Sequence, residues 1–429
     1  MPKHRMWIGT VLLIALLLRL SALAIYGLDH LSLHSDDVGY TNGAIRLLET
    51  GMLTYKGPTE PAHFATEPTV KIMPGQPLLL AAVFLLFGSG TLGMYAAKIV
   101  MIGIGLLGIY GIYLLGRYIW GTAVGVIAAF LLAVSIEHIV TDNLLLTETP
   151  FFASLVFLVY FSVRLARERK PVHFYSLLLC YMAALMFKTT VALYPVLLLI
   201  YLLLQKYPFR LLMKQAAIAA AVMLMVLSPW WIRNYVHYHT FIPLTAGEGN
   251  PLLLGSYQGK GYPNRPPQDE LMKNLKAEYA NVTSFEFQKI QAEVAKQRIK
   301  LWWETDRNSF IESYAWLKPK ILWKDSFYWV EIFHIKEADV HAAQWRIVKF
   351  GLLAFLLSFL LNRKGRKELF LLFSLLGYFT VVYSVYFVFG RYNEPLMPFL
   401  YLAIGVALVS IWQSLRTGLA FWRQSRSDT

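Results

Sequence analysis

Long apolar segments recur along this chain, and they constrain its fold more than any other feature. A helix that crosses a bilayer needs about 20 predominantly apolar residues. The sequence predicts about ten such segments, at residues 6–28, 91–115, 119–136, 147–164, 172–187, 189–205, 212–232, 346–361, 369–388 and 395–413. Only 15% of the 429 residues are charged, against about a quarter in soluble domains. The expected fold is all-α: a polytopic integral membrane protein with about ten transmembrane helices.

The short connections between these segments alternate in charge, and this alternation predicts an orientation. Basic residues collect in front of the first span and around residues 117, 164–170, 206–214, 363–367 and 416–426. Since cytoplasmic loops carry the excess of Lys and Arg, we expect a multi-pass protein of the cell (plasma) membrane with both termini cytoplasmic. The net charge of +14 then reflects topology and contact with anionic membrane lipids. Nucleic acid is not an expected partner, because no basic–aromatic platform stands out.

Two long loops fall on the opposite, extracytoplasmic side, at residues 29–90 and 235–345. The first should carry interfacial helices, one near 38–49 and one in the apolar stretch near 78–87, which is too short to span. The second should be mostly helical, with a polar helix near 284–305. We expect residues 1–415 to form one transmembrane domain that includes both loops, followed by a short basic cytoplasmic tail at 416–429.

Carboxylates and cations gather near the outer ends of the predicted spans. They are Asp36, Asp37, Lys71, Lys98, Asp142, Glu148, Lys188, Arg233 and Arg391. Ionisable groups at membrane depth are costly and usually functional. Cations can hold a phosphate, and one positioned carboxylate can take the proton of an acceptor hydroxyl. This chemistry suits glycosyl transfer from a polyprenyl-phosphate sugar, whose phosphate leaves without a general acid.

Six motifs, in order over roughly residues 1–415, resemble the GT-C membrane glycosyltransferases of glycosyltransferase family 39, which include protein O-mannosyltransferases and aminoarabinose transferases. They are His34–Tyr40, Lys71 with Pro74–Gly88, Leu144–Phe151, Phe187–Leu193, Ser228–Gly247 and Gly390–Phe399. The resemblance implies Asp36 as the base with Asp37 second, and Glu148 as a further catalytic residue. It also implies substrate binding by Lys71, Lys188, Arg233, Arg391 and Tyr392.

Each of these residues also has a simpler interpretation. Asp36 and Asp37 could cap a helix, and Glu148 could complement a helix dipole. Lys188 could snorkel at the interface, and Arg233 could cap the end of its own span. His34 next to the two aspartates permits a divalent metal, although this ligand set is too sparse to predict one.

The sequence therefore predicts inverting transfer of a monosaccharide from a polyprenyl-phosphate donor to a hydroxyl on the extracytoplasmic face. Inversion is implied by the resemblance and by a single displacement with one base. The acceptor could be a glycan, a lipid or a protein. A polymerase or ligase of lipid-linked oligosaccharides is the alternative enzyme. A secondary transporter or lipid flippase is the alternative class, and it would place its charges at the midplane and break helices in two matching halves.

Overall fold

The computed structural model describes residues 3–57, 60–263, 265–363 and 365–427, with side chains described between residues 6 and 416 of these ranges. The predicted orientation depends in part on basic residues whose side chains lie outside this description: Lys3, His4, Arg5, Lys364, Arg423 and Arg426. The predicted tail also falls partly outside it, at residues 428 and 429. Its backbone up to Ser427 continues the last helix.

Within the described ranges every regular element is helical. The α-helices are α1 (Lys3–His30), α2 (Asp36–Thr50), α3 (Gly75–Phe87), α4 (Thr91–Trp120), α5 (Thr122–Ala133), α6 (Ile136–Thr141), α7 (Glu148–Glu168), α8 (Pro171–Phe187), α9 (Tyr194–Leu204), α10 (Phe209–Tyr238), α11 (Gly249–Gly255), α12 (Gln268–Glu278), α13 (Ser284–Thr305), α14 (Arg307–Glu312), α15 (Lys318–Lys324), α16 (Glu337–Leu361), α17 (Arg366–Val385) and α18 (Met397–Ser427). The all-α, polytopic fold class is confirmed.

A helix occupies each of the ten predicted span positions. Seven helices of the described chain are long and apolar enough to cross a bilayer by length and composition: α1, α4, α7, α10, α16, α17 and α18. The other three, α5, α8 and α9, are shorter apolar helices. The segment predicted as one span at 119–136 is divided, because α5 ends at Ala133 and α6 begins at Ile136.

The centre of the bundle is formed by α4, α5, α7 and α18, with α1, α8 and α16 packed around them. Its core side chains are aliphatic and aromatic, and many are fully buried. Helix α10 lies at the edge of the bundle, and only 11% of its most apolar 18-residue segment is buried. Such a surface suits a helix that faces lipid, since lipid tails favour exposed apolar side chains.

Both long loops lie at one end of the bundle, which we call the loop end. In the first loop α2 packs on α3, and α3 exposes Leu85 and Leu86 by 73% and 77%, as expected of an interfacial helix. In the second loop α13 begins at a capping box formed by Thr283 and Glu286, a motif that satisfies two helix-terminal N–H groups. The predicted helix at 284–305 is confirmed.

Two of the candidate ionisable residues, Asp142 and Lys98, have their partners inside the bundle. Arg19 Nε lies 2.7 Å from Asp142 Oδ2, and both side chains are buried. Lys98 Nζ donates to the backbone carbonyls of Leu31 and Asn143, at 2.5 and 2.7 Å. These contacts tie α1 and α4 to the α6–α7 connection. They satisfy charges that would be costly if unpaired.

Candidate active site

Four predicted site residues lie at helix ends or breaks, all at the loop end. Asp36 is the first residue of α2, and Glu148 is the first residue of α7. Lys188 directly follows α8, where its extended backbone (φ −142°, ψ 122°) stops the helix. Arg391 lies in a short 3₁₀ turn, Gly390–Tyr392, between α17 and α18. The fold therefore brings together side chains that are far apart in the sequence.

These four side chains form one network of ion pairs. Arg391 Nη1 lies 2.8 Å from Asp36 Oδ2, and Arg391 Nε lies 2.9 Å from Glu148 Oε1. Lys188 Nζ donates to the same Glu148 oxygen at 2.8 Å. The Glu148 side chain is fully buried, so it needs compensating charge and hydrogen bonds. The structure thus brings Asp36, Glu148, Lys188 and Arg391 together, and their roles in catalysis stay predictions.

Arg391 is held in place by the backbone and by aromatic rings. A Cβ atom on the preceding Gly390 would lie 2.8 Å from the carbonyl oxygen of Asp325, so only glycine allows this close approach. The guanidinium carbon lies 5.8 Å from the ring centre of Phe327 and 5.9 Å from that of Tyr392. At these distances the rings attract the cation. Arg391 is therefore fixed between two carboxylates and two aromatic walls.

Asp36 is the carboxylate of this network that faces open space, with 27% of its side chain exposed. It accepts a hydrogen bond from Tyr55 Oη at 2.8 Å. Burial raises the pKa of Asp36, but the Arg391 charge and the hydrogen bonds from Tyr55 and Arg391 outweigh it. The net pKa lies below the ordinary value, so Asp36 is ionised at neutral pH.

Tyr55 reaches Asp36 because two glycines of α2 allow the chain to pass close by. A Cβ atom on Gly39 would lie 2.8 Å from the Tyr55 ring, and one on Gly43 would lie 2.5 Å from the Thr54 carbonyl oxygen. Tyr40 packs on Tyr55 with ring centres 5.2 Å apart. These contacts direct the hydroxyl of Tyr55 toward Asp36, the first residue of α2.

Asp37 has a different environment from its neighbour. Its side chain is buried, and it accepts hydrogen bonds from Ser32 Oγ, Leu33 N and Ser35 N at 2.6, 2.8 and 3.0 Å. These are the donors of the turn that leads into α2. The arrangement gives Asp37 a structural role in this turn, and it leaves Asp36 as the aspartate directed toward the cations.

Lys71 lies at the rim of the site and has a carboxylate partner of its own. Its Nζ donates to Glu60 Oε1 at 2.6 Å, and it lies 5.2 Å from the centre of the Tyr55 ring. Glu60 in turn accepts from the backbone N–H of Gly57 at 2.7 Å. An ammonium carries three N–H donors, and Glu60 takes one of them.

The structure does not bring Arg233 into the network. Its guanidinium donates to the carbonyl oxygens of Thr69 and Leu53, at 2.6 and 3.3 Å, and it stacks on Trp230 at 5.1 Å. Arg233 therefore ties α10 to the backbone of the first loop. These two carbonyls and Asn234 Oδ1 take three of its N–H donors, which favours a structural role over the predicted substrate contact.

Two cavities open beside the network and meet at Lys71, Phe387 and Tyr392. The first, of about 470 Å³, is lined by Asp36, Arg391 and Lys71 and by the aromatic rings of Phe327 and Trp329. We call it the acid cavity.

The second cavity, of about 560 Å³, is lined by Lys188, Lys71 and the apolar side chains of Leu193, Leu244 and Val382. We call it the lysine cavity. Tyr392 lines both cavities, with its ring stacked on Tyr383 and 5.3 Å from Lys188 Nζ. Glu148 contacts Arg391, which lines the acid cavity, and Lys188, which lines the lysine cavity.

The aspartates and His34 do not form a metal-ligand set. Asp36 is paired with Arg391, Asp37 is bonded to its own turn, and His34 Nε2 lies 3.7 Å from Asp29 Oδ1. Within the described residues no three His, Cys, Asp or Glu side chains converge in a way that could hold a metal ion.

Tyr55 and Glu60 belong to the site, although the sequence reasoning did not identify them. Neither residue is part of a recognisable motif, and each depends on the path of the loop after α2. An acidic residue 11 positions before Lys71 was the available signal for Glu60. Nothing in the spacing pointed to Tyr55.

No curated protein matches the chain. Residues 68–232 match the family described as dolichyl-phosphate-mannose-protein mannosyltransferase. This range contains Lys71, Glu148 and Lys188, and the match indicates an enzyme.

The fold is similar to that of AglB, the oligosaccharyltransferase of Archaeoglobus fulgidus, in complex with an inhibitory peptide and a dolichol-phosphate. The TM-score is 0.57 at 13% identity, and the match covers 99% of this chain and 52% of AglB. The complex of the same oligosaccharyltransferase with zinc and sulfate gives 0.53 at 12% identity, over 96% and 50%. ArnT from Cupriavidus metallidurans bound to undecaprenyl phosphate gives 0.44 at 14% identity, over 93% and 78%.

The chain thus spans about half the length of the archaeal oligosaccharyltransferase whose fold it shares. Its similarity to the mannosyltransferase family covers residues 68–232, and its similarity in fold extends over nearly all of its length. Together they confirm the resemblance that the motifs predicted: this chain is a multi-pass membrane protein with the fold of the GT-C glycosyltransferases.

Proposed function

We propose that this protein transfers a monosaccharide, with inversion, from a polyprenyl-phosphate sugar to an acceptor hydroxyl on the extracytoplasmic face of the membrane. One observation carries the proposal. Two cavities meet at Lys71 and Tyr392, one with a carboxylate in its wall and the other with a lysine between apolar side chains. A sugar at the junction would have a base on one side and cations on the other.

The lysine cavity suits the donor. Lys188 and Lys71 each give one N–H to a carboxylate, and an ammonium has two more to offer a phosphate. Leu193, 61% exposed, lies in the same wall as Lys188 and gives an apolar surface for the polyprenyl chain. The phosphate would thus bind at the membrane end of the cavity, with its lipid beside α9 and α17.

The acid cavity suits the acceptor, and Asp36 is the group that can receive its proton. In the transfer, the acceptor oxygen forms a bond to the anomeric carbon while the bond from that carbon to the phosphate oxygen breaks. The acceptor proton passes to Asp36, and the bonding electrons leave with the phosphate, which gains negative charge. Lys188, Lys71 and Arg391 stabilise that charge as it develops. Because attack and departure occur on opposite faces, the configuration inverts.

We also propose that residues 1–415 act as one unit, with 416–429 as a tail. The network itself supports this, since it joins Asp36 near one end of the chain to Arg391 near the other. The proposed orientation has both termini cytoplasmic in the plasma membrane. It is tested by single cysteines at the exposed positions Lys273 and Arg363 in a Cys180→Ser background. A membrane-impermeant thiol reagent should label only the first in intact cells, and the reverse pattern would place the site in the cytoplasm.

Mass spectrometry of glycolipids tests the reaction. Cells that express the Asp36→Asn variant should accumulate a polyprenyl-phosphate monosaccharide that cells with the wild-type protein consume. The molecule that lacks this sugar in cells with the variant is the acceptor, and its chemistry shows whether the acceptor is a glycan, a lipid or a protein. Accumulation of a lipid-linked oligosaccharide would instead favour a polymerase or ligase. Unchanged lipids would contradict the proposal.

Binding of undecaprenyl phosphate tests the lysine cavity separately. We expect Lys188→Met to weaken binding by about 10- to 100-fold, as the loss of a charge-assisted hydrogen bond does. Lys289→Met is the matched control, since Lys289 is an exposed lysine of α13 that stacks on Phe285 and lines neither cavity. Equal binding by both variants would show that the phosphate binds away from Lys188.

A further inference from the structure

A third cavity lies between α5, α16 and α18, and it shares no lining residue with the two cavities of the site. Its volume is about 760 Å³, larger than either. Most of its wall is aliphatic or aromatic, as shown by Leu131, Ile347, Phe350, Leu353 and Ile404. We call it the α16 groove.

The α16 groove follows the membrane-spanning direction. Its lining on α16 extends from Asp339 to Leu357, which is about 27 Å of helix at 1.5 Å per residue. This is close to the thickness of the hydrocarbon core of a bilayer, about 30 Å. Helices α16 and α18 are both among the candidate spans, so the groove can take a lipid chain along its length.

The loop end of the α16 groove is polar and acidic. Glu137, Asp339 and Gln344 lie in its wall there. Gln344 is fully buried, and its Oε1 atom has no hydrogen-bond partner among the described residues. Glu137 is buried too, and it accepts a hydrogen bond from the backbone N–H of Phe327 at 2.9 Å. A buried acceptor without a donor is costly, so this end of the groove favours a ligand that donates hydrogen bonds.

We propose that the α16 groove binds one membrane phospholipid with a protonated primary amine in its headgroup, of the phosphatidylethanolamine type. The ammonium would donate to Gln344 Oε1 and to the Glu137 carboxylate, with Asp339 adding negative charge. The acyl chain would lie against Ile347 and Phe350. This lipid would be a structural partner, distinct from the sugar donor and the acceptor.

Hydrogen-bonding capacity distinguishes this lipid from other abundant ones. A primary ammonium has three N–H donors, whereas a quaternary choline has none and leaves Gln344 Oε1 unpaired. An anionic glycerol headgroup would bring negative charge against two carboxylates. Burial raises the pKa of Glu137 to about 7, and an adjacent ammonium would favour its charged form.

The polar end of the α16 groove also touches residues that hold the site. Phe327, which donates to Glu137, packs on the guanidinium of Arg391. Gln344 Nε2 donates to Asn393 Oδ1 at 3.1 Å, two residues after Arg391. An occupant of the groove would therefore contact Glu137 and Gln344, and each of these residues is hydrogen-bonded to a residue beside Arg391.

Photolabelling of the purified full-length protein in nanodiscs tests the proposal without reference to enzyme activity. The probe is phosphatidylethanolamine with a photoactivatable acyl chain, compared with phosphatidylcholine and phosphatidylglycerol that carry the same chain. Labelled peptides should map to α16 and α18 for the ethanolamine lipid. Labelling of these helices should be about tenfold weaker for the other two, as expected for a lost charge-assisted hydrogen bond.

Two adjacent alanines of α16 provide a matched pair of variants. Ala343 lines the groove, whereas Ala342, which is also exposed, does not. Ala343→Trp should abolish ethanolamine-selective labelling by filling the groove, and Ala342→Trp should leave it unchanged. Glu137→Gln, which keeps its oxygen for Phe327 N–H, should reduce the selectivity. Equal labelling by all three lipids, or labelling that survives Ala343→Trp, would overturn the proposal.

Discussion

Replacement of Asp36 by asparagine separates the proposed base from a helix cap. The side chain keeps its size, and the amide oxygen can still accept from Tyr55 Oη. The amide cannot take a proton from the acceptor. Loss of a general base costs about 10²- to 10⁴-fold in rate, which corresponds to about 2.7–5.4 kcal/mol of transition-state stabilisation. We expect kcat to fall by this factor.

The same change should have a moderate effect on stability. Asp36 loses its charge-assisted contact with Arg391, and the two side chains are only 27% and 13% exposed, so the loss should cost about 1–3 kcal/mol. Arg391 keeps Glu148 as a partner, and the protein should therefore stay folded while kcat falls. Measuring both on one purified sample, by single-turnover transfer and by denaturant unfolding, removes the ambiguity of a misfolded variant.

Asp37→Asn is the matched control, because it is the same substitution one residue away. Asp37 accepts three hydrogen bonds from its turn, and an amide nitrogen cannot accept, so at least one donor loses its partner. That should cost about 1–3 kcal/mol of stability and leave the rate per folded molecule near that of the wild type. If Asp36→Asn transfers sugar at the wild-type rate, or if Asp37→Asn alone loses it while its stability is unchanged, our assignment of the base is refuted.

Three further predictions follow from the network. Glu148→Gln should lower stability by about 3–5 kcal/mol in denaturant unfolding, as removal of one partner of a buried ion pair does, whereas the exposed Glu304→Gln should not. Arg391→Lys keeps the charge but cannot contact both carboxylates through a planar fork, so kcat should fall about 10²-fold. An unchanged kcat would contradict the proposed role of Arg391 in stabilising the phosphate. Tyr55→Phe removes a hydrogen bond that lowers the pKa of Asp36, so the acid limb of the pH–kcat/KM profile should move to higher pH, and an unmoved limb would contradict this contact.

The sequence predicted the helices and the clustering of the charged residues for separate physical reasons. Apolar length alone located the ten helices, since lipid requires backbone hydrogen bonds to close within a segment. The clustering of Asp36, Glu148, Lys188 and Arg391 followed from their positions at the loop ends of spans. Once alternate spans reverse direction, such positions must meet at one surface.

The parts that could not be predicted depend on the exact path of loops. Asp36 and Asp37 are adjacent and chemically identical, and only the turn at residues 32–35 makes Asp37 the acceptor of its hydrogen bonds. Tyr55 reaches Asp36 through contacts of Gly39 and Gly43 that have no periodic signal. The resemblance implied substrate binding by Arg233, but its guanidinium donates to nearby loop carbonyls. Charge can be read from a sequence, whereas the partner of each charge requires the fold.

The balance of charge at the site suggests an order of events. Three cations, Lys71, Lys188 and Arg391, contact three carboxylates, Glu60, Glu148 and Asp36. A donor phosphate therefore enters a neutral cluster and must compete for its cations. Glu148 is fully buried and cannot be released to solvent, so Arg391 can turn to the phosphate most readily by leaving Asp36.

Departure of Arg391 from Asp36 would change the strength of the base. The Arg391 charge lowers the pKa of Asp36, and burial raises it. When the phosphate attracts Arg391, the lowering weakens while the burial remains, so the pKa of Asp36 rises and the carboxylate becomes a stronger base. Asp36 would then be a weak base without donor and a competent one with it. On this argument the donor binds before the acceptor is activated, and undecaprenyl phosphate added to the free protein should raise the pKa of Asp36 measured by carboxyl infrared absorption.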